Sequence, residues 1–176
     1  MELCILSPDE VQAHADELAA LERAISYPVA DGQDRFWIDH GPRYPAFFEA
    51  LGEWCAFLCA REGGRVVGIV AASLRRVSGP DGRELSALYL GDFKLAPSVR
   101  GTGLAGRILA RGLLAVLLDR RVPRWDVVYA AAMRGARGDV RRSFGRMSAG
   151  RLGRPLAELS LFFEGEARLA ALTGGP

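Results

Sequence analysis

Phe93-Lys94-Leu95-Ala96-Pro97-Ser98-Val99-Arg100-Gly101-Thr102-Gly103-Leu104-Ala105-Gly106 reads as a strand that stops at a proline and turns through glycines into a helix. Pro97 has no N–H to offer a sheet ladder, so the strand ends there. At Gly101 and Gly103 the missing side chains let the backbone approach a ligand closely. A helix beginning near Gly103 aims its unpaired N–H groups and the positive end of its dipole at the same spot. The segment is therefore expected to hold a pyrophosphate.

Three phosphate-loop patterns compete for it. The Walker pattern needs Lys-Ser or Lys-Thr after its last glycine, but Gly106 is followed by Arg107 and Ile108. Gly101, Gly103 and Gly106 do satisfy the dinucleotide spacing. That reading ranks second, because the segment lies past mid-chain and its strand follows a hairpin signal. A plain tight turn is the bland alternative. The full string decides the order: Leu95, Pro97, Arg100, Gly103 and Ala105 stand at the offsets apolar-x-Pro, then Arg-x-x-Gly-x-Ala. This resembles the acyl-CoA-binding motif of the GNAT superfamily of N-acyltransferases. The match is detailed over Phe93 to Gly106, and by element order it extends over about residues 1 to 165.

The resemblance implies an α/β fold of the mixed, α+β kind. Its centre is a mostly antiparallel twisted sheet with helices on both faces and a parallel strand pair splayed to admit CoA. It also implies acetyl-CoA, or another acyl-CoA, as co-substrate without a metal. The residues implied to hold it are Phe93, Lys94, Leu95, Arg100, Gly101, Thr102, Gly103, Leu104, Ala105 and Gly106. The acyl group would pass directly to a small-molecule or protein amine bound at the same time. A backbone N–H at Leu95 is implied to stabilise the carbonyl oxygen as charge gathers on it.

The amine must lose a proton that an alkylammonium keeps until about pH 10, so a base or a water chain is needed. Some family members place a glutamate six residues before the Leu95 position, where this chain has Tyr89. Asp92 is the carboxylate on that strand. A charge within Leu88-Tyr89-Leu90-Gly91-Asp92-Phe93 has to be functional, paired with an arginine, or exposed. The tyrosine that protonates the leaving thiolate in the family follows an aromatic residue, but here Gly145 follows Phe144. Tyr129, Ser143 or water is left for that task. Asp92, Tyr89 and Tyr129 are thus the catalytic candidates. Two other readings stay open: transfer of a longer chain from an acyl-carrier protein, and a CoA-binding module that does no chemistry.

With 176 residues and 49% hydrophobic content, the chain suits one domain, 1–165, followed by a tail, 166–176. Net charge is +2, carried by 22 arginines and a single lysine, Lys94. Seven of the arginines fall between Arg134 and Arg154 against one acid, Asp139. They suit a solvated face, the 3′-phosphate of CoA or an acidic carrier protein. No nucleic-acid-binding motif accompanies them. The N-terminus carries no basic-then-apolar leader, and the apolar run Leu104 to Leu118 is broken by Arg107 and Arg111. These features predict a cytoplasmic protein, monomer or homodimer, with no membrane partner. Cys55 and Cys59 read as small core hydrophobes rather than nucleophiles.

The expected elements are a strand at Glu2–Leu6 and a helix capped by Ser7 or Asp9 that runs to about Ile25. Strands Trp54–Arg61 and Arg65–Val77 are joined at Glu62-Gly63-Gly64, and a third strand ends at Leu95. A helix over 103–119 should turn Leu104, Ile108, Leu109, Val116 and Leu117 to the sheet. A buried strand Val127–Met133, a helix over 139–147 and a strand Leu156–Phe163 complete the set. The run Ala130-Ala131-Ala132 suits either a slot beside the strand or close helix packing. Tyr27, Phe36, Trp37, Tyr44, Phe47, Phe48 and Trp54 cluster before the second strand. They wall an acceptor pocket or pack a small helix over 45–51; His40 among them reads as a surface histidine.

Overall fold

The computed structural model describes residues 1–28, 34–118 and 120–131. All of them lie in the compact unit Met1–Val140. The expected helix over 139–147, the strand Leu156–Phe163, the arginine-rich stretch, Ala132, Ser143 and Phe144 lie outside the described residues.

Alternating apolar side chains build a five-stranded sheet from β1 (Glu2–Leu6), β4 (Trp54–Glu62), β5 (Arg65–Ser78), β6 (Glu84–Leu95) and β7 (Val127–Ala130). They stand side by side in that order. The first four pair antiparallel and β7 joins β6 in parallel. Gly63 and Gly64, with φ of 56° and 79°, make the β4–β5 turn. Two successive left-handed residues give this turn the twist a two-residue hairpin needs. A short ribbon, β2 (Tyr27–Pro28) with β3 (Arg35–Phe36), lies apart from the main sheet.

Helices cover both faces, as expected. On one, α1 (Pro8–Gln12), α2 (Ala15–Arg23) and α3 (Ala46–Leu51) bring Val11, Leu18, Leu21 and Phe48 onto Phe57, Cys59 and Ile69. On the other, α4 (Leu104–Leu118) sets Leu104 and Ile108 against Leu58, Ala60 and Val99. No helix among the described residues is long and apolar enough to cross a membrane.

Three expectations need correction. The first helix is two helices, parted at Ala13 and His14. His14 sits at φ −107°, ψ 19°, outside helical geometry, and its ring nitrogen lies 3.1 Å from Glu17. Ser7 caps α1 in a reciprocal box with Glu10, and Val11, Leu18, Leu21 and Ile25 are all buried as the periodicity predicts. Leu117 does not face the sheet: it is 62% exposed. It comes thirteen residues after Leu104, which at about 100° per residue carries it far round the helix. Finally, Val127 and Val128 at the start of β7 are exposed, where a buried strand was expected. A short apolar run does not by itself fix how deeply a strand is buried.

Two glycines separate packing from backbone freedom. A Cβ at Gly52 would fall 1.9 Å from the backbone oxygen of Leu74, whereas one at Gly106 in α4 would meet nothing within 4 Å. Gly52→Ala is expected to cost about 2 kcal/mol or more. Gly106→Ala should stabilise the helix by up to about 1 kcal/mol. Thermal melts of the two variants check both signs.

Candidate functional site

The glycine segment forms the junction the sequence predicts. Ala96 N–H donates to Val67 O at 2.8 Å as the last tie to the sheet, and Pro97–Val99 follows as a single 3₁₀ turn. Arg100 Nε donates back to Leu95 O at 3.2 Å, and Thr102 Oγ1 to Val99 O at 2.7 Å. Gly101 and Gly103 have φ of 80° and 78°, where side chains are strained, and the space beside both is open. The first helical bond runs from Arg107 N–H to Gly103 O at 3.2 Å. Earlier amides at the start of α4 therefore face outward without intrahelical partners. Among the described residues, no protein atom occupies the space a side chain at Gly101 or Gly103 would take.

A bulge interrupts β6 just upstream. Ile69 pairs with Lys94 but Ala71 with Gly91, so β6 carries one residue more than β5 over this interval. Asp92 takes the left-handed conformation that such a bulge needs, at φ 51°; it is the one positive-φ residue other than glycine among those described. Pairing of β6 with β7 runs from Ala87/Val127 to Leu90/Ala130. Gly91 to Leu95 therefore run on past the last β6–β7 pair among the described residues. The bulge thus falls just beyond the last β6–β7 pair among the described residues.

Among the described residues, the ion-pair partner of Asp92 is Lys94 rather than an arginine. Asp92 Oδ1 lies 2.6 Å from Lys94 Nζ, and its Oδ2 accepts a short hydrogen bond from the Tyr44 hydroxyl. Lys94 Nζ also lies 2.7 Å from Glu22 Oε1, which in turn is 2.5 Å from His40 Nδ1. The side chains of Lys94, Asp92, Glu22 and His40 are all at most 8% exposed, so His40 is not a surface histidine. Its ring packs on Tyr44, Phe47 and Phe48. The carboxylates of Glu22 and Asp92 and the His40 ring nitrogen come within 4.8 Å of one another, a metal-like grouping, and the cation among them is the Lys94 ammonium.

The charges within this cluster act on one another. Burial alone would raise the Glu22 pKa, but hydrogen bonds from His40 and Lys94, with the Lys94 charge, hold it below its ordinary value. Burial and the neighbouring Asp92 push the Tyr44 phenol well above its usual range, so it stays a proton donor. Burial lifts the Cys55 thiol to about 11 and Cys59 to about 12, as befits core residues rather than nucleophiles.

Tyr89 and Tyr129 are cross-strand partners with ring centroids 5.1 Å apart. Arg75 Nη1 donates to the Tyr129 hydroxyl at 3.2 Å. The Tyr89 ring lies along its strand over Gly91: a Cβ there would fall 2.7–2.9 Å from the ring edge and hydroxyl. Burial first, then Tyr129 and Asp92, raise the Tyr89 pKa against the opposing Arg75 charge. Of the expected donor-binding residues, Leu95, Arg100, Gly101, Thr102, Gly103, Leu104, Ala105 and Gly106 line or flank the loop. Lys94 turns instead into the buried cluster, and Phe93 is exposed. Among the crowded aromatics, Phe48 is core and Phe47 is half-exposed. The signal sequence reasoning missed is the pairing of Glu22 with Lys94; the rarity of lysine was the available hint.

No protein-family model and no curated protein matches the sequence. Solved structures do match. An aminoglycoside acetyltransferase from an uncultured soil metagenomic sample, in complex with sisomicin, superposes with a TM-score of 0.60 at 11% identity, covering 93% of this chain and 96% of its own. A Trypanosoma brucei acetyltransferase gives 0.53 at 16% identity, covering 93% and 98%. A protein described as a transcriptional regulator from Bacillus halodurans C-125 gives 0.56 at 11% identity, covering 93% and 100%. The chain thus shares the fold of these solved structures.

The lowered Glu22 pKa fixes the sign of a pH effect. A carboxyl depressed on folding adds stability above its unfolded pKa and loses it as the pH falls through the folded value. Between about pH 5 and pH 3 the wild type should therefore lose stability more steeply than Glu22→Gln. Urea titrations across that window test it, and equal slopes would contradict the ionic role of Glu22.

Proposed function

We propose that this protein is an N-acyltransferase that passes an acyl group, an acetyl group in the simplest case, from CoA to an amine within a ternary complex. One observation carries the reading. Arg100, Gly103 and Ala105 stand in motif order at a junction whose glycines are left-handed and open, a few residues past the bulge in β6 at Asp92. The outward amides at the start of α4 suit the pyrophosphate. The extension of β6 beyond its pairing suits the pantetheine and sets the thioester beside the bulge.

In the step itself the amine nitrogen attacks the thioester carbonyl carbon, the C–S bond breaks, and the thiolate takes up a proton. Tyr89 is the best-supported donor of that proton. Its hydroxyl lies over Gly91 beside the bulge, and its raised pKa keeps it protonated. Tyr129, held by Arg75, orients the Tyr89 ring from the next strand. Asp92 is engaged on both oxygens and serves better as a fixed counter-charge than as a free base, which leaves removal of the amine proton to water.

The aromatic wall and His40 lie on the same face as Tyr89, and the acceptor is assigned there. The donor is acetyl-CoA or another acyl-CoA, and the work is placed in the cytoplasm. Donor length and the carrier-protein alternative are decided by one assay: thiol release from acetyl-CoA, long-chain acyl-CoA and acyl-carrier protein with a panel of amines. Acyl-CoA binding without amine-dependent release would instead define a binding module.

Gly103→Asp keeps a residue type that tolerates left-handed backbone but sets a negative charge against the pyrophosphate. It should weaken acyl-CoA binding about 100-fold or more by calorimetry, with an unchanged far-UV spectrum. Tyr89→Phe should lower kcat about tenfold or more while leaving the KM for acyl-CoA in place. Normal turnover would remove it as the acid.

A further inference from the structure

The chain places arginine at 22 of its 23 lysine or arginine positions, yet its one lysine is the most deeply buried cationic side chain among the ion pairs of the described residues. A guanidinium is a wide planar fork, whereas an ammonium is a compact point charge with three tetrahedral donors. At this position two carboxylates approach Nζ from different elements, at 2.6 Å from β6 and 2.7 Å from α2, in a pocket 1% exposed. The geometry asks for a small cation.

The groups bound to those carboxylates come from the segment ahead of α3. His40 holds Glu22 through its ring at 2.5 Å and its backbone N–H at 3.4 Å, and Tyr44 holds Asp92. α2, the 39–44 segment and β6 therefore meet at one ammonium. Asp92, whose carboxylate is fixed between Lys94 and Tyr44, is also the residue whose left-handed backbone makes the bulge. A residue in such a conformation persists where its surroundings over-determine it, and here two donors do so.

We infer that Lys94 is a positioning residue for acyl transfer: its ammonium locks the Asp92 bulge and, through Glu22, docks the His40–Tyr44 segment against it. The inference rests on the acyl-transfer reading for its kinetic consequence only. Lys94 touches neither substrate. It sets the geometry of the strand that meets the thioester and of the wall that meets the acceptor.

Lys94→Met, Lys94→Arg and Tyr44→Phe are compared in the full chain by steady-state kinetics with acetyl-CoA and by amide hydrogen exchange. Lys94→Met should lower kcat about tenfold or more with the KM for acetyl-CoA held within about twofold. Exchange should quicken over residues 39–44 and 91–95 while 98–106 stays as in the wild type. Lys94→Arg, too wide for the pocket, should not restore either property. Tyr44→Phe, which removes one tie and no charge, should move both in the same direction by less and remains informative if Lys94→Met does not fold. Wild-type kinetics and exchange in a folded Lys94→Met or Tyr44→Phe would overturn the inference, as would exchange raised uniformly across the sheet. A wild-type protein with no turnover would sink the acyl-transfer reading instead, and the exchange pattern would still decide whether the lock exists.

Discussion

A lysine ammonium held between two carboxylates, out of water, is the interaction on which the candidate site depends. Removing three charges from solvent costs several kcal/mol per ion before relaxation, and their mutual attraction recovers this only with close contacts and filled hydrogen-bonding sites. Both conditions are met: the Asp92 oxygens are taken by Lys94 and Tyr44, and those of Glu22 by Lys94 and His40. Such a cluster adds less to stability than an apolar core of the same volume would. Its contribution here is definition, because the partners come from α2, the 39–44 segment and β6, and the cluster ties the three together.

The two segments that bracket the candidate donor site use left-handed backbone for different ends. At Gly101 and Gly103 the turn is open on the side a Cβ would occupy, and glycine leaves that space clear. At Asp92 the same conformation carries a side chain, and that side chain is tied down within the protein. Substitution by glycine at 92 would relieve the backbone but remove the anchor. The bulge is thus fixed from its side-chain end, while the loop is kept free at its own.

Local signals in the sequence led to local structure. Pro97 and the glycines after it marked the junction, Gly63-Gly64 marked the hairpin, and the alternation in Arg65–Ser78 and Glu84–Leu95 marked long strands. The break at His14 was not legible, since it depends on a ring that reaches for Glu17 rather than on a helix breaker such as proline or glycine. The cluster was legible only in part. Asp92 stood out as a charge in an apolar strand, but its neighbours lie far off in sequence: Tyr44 is 48 residues away, and Glu22 is 72 residues from Lys94. Residue type alone could not say that His40 would be drawn inward, because that follows from a buried acid on α2 which itself reads as one more polar position of an amphipathic helix.

Fold likeness at 11–16% identity carries architecture, and chemistry has to be argued from side chains. The side chains of this chain divide in an orderly way. Arg100, Gly103 and Ala105, on the α4 side of the junction, keep the donor-loop pattern, and each stands where backbone amides can do the binding. The departures lie across the sheet, where Tyr89 replaces the carboxylate some family members carry and Lys94 directs the strand's own carboxylate into an ion pair. On the proposed reading a donor would bind through groups every residue possesses, so that half of the site could stay constant while its surroundings change. An acceptor, on the same reading, would be met by side chains, and the half built from Tyr44, Tyr89, Asp92 and Lys94 is where selectivity would arise.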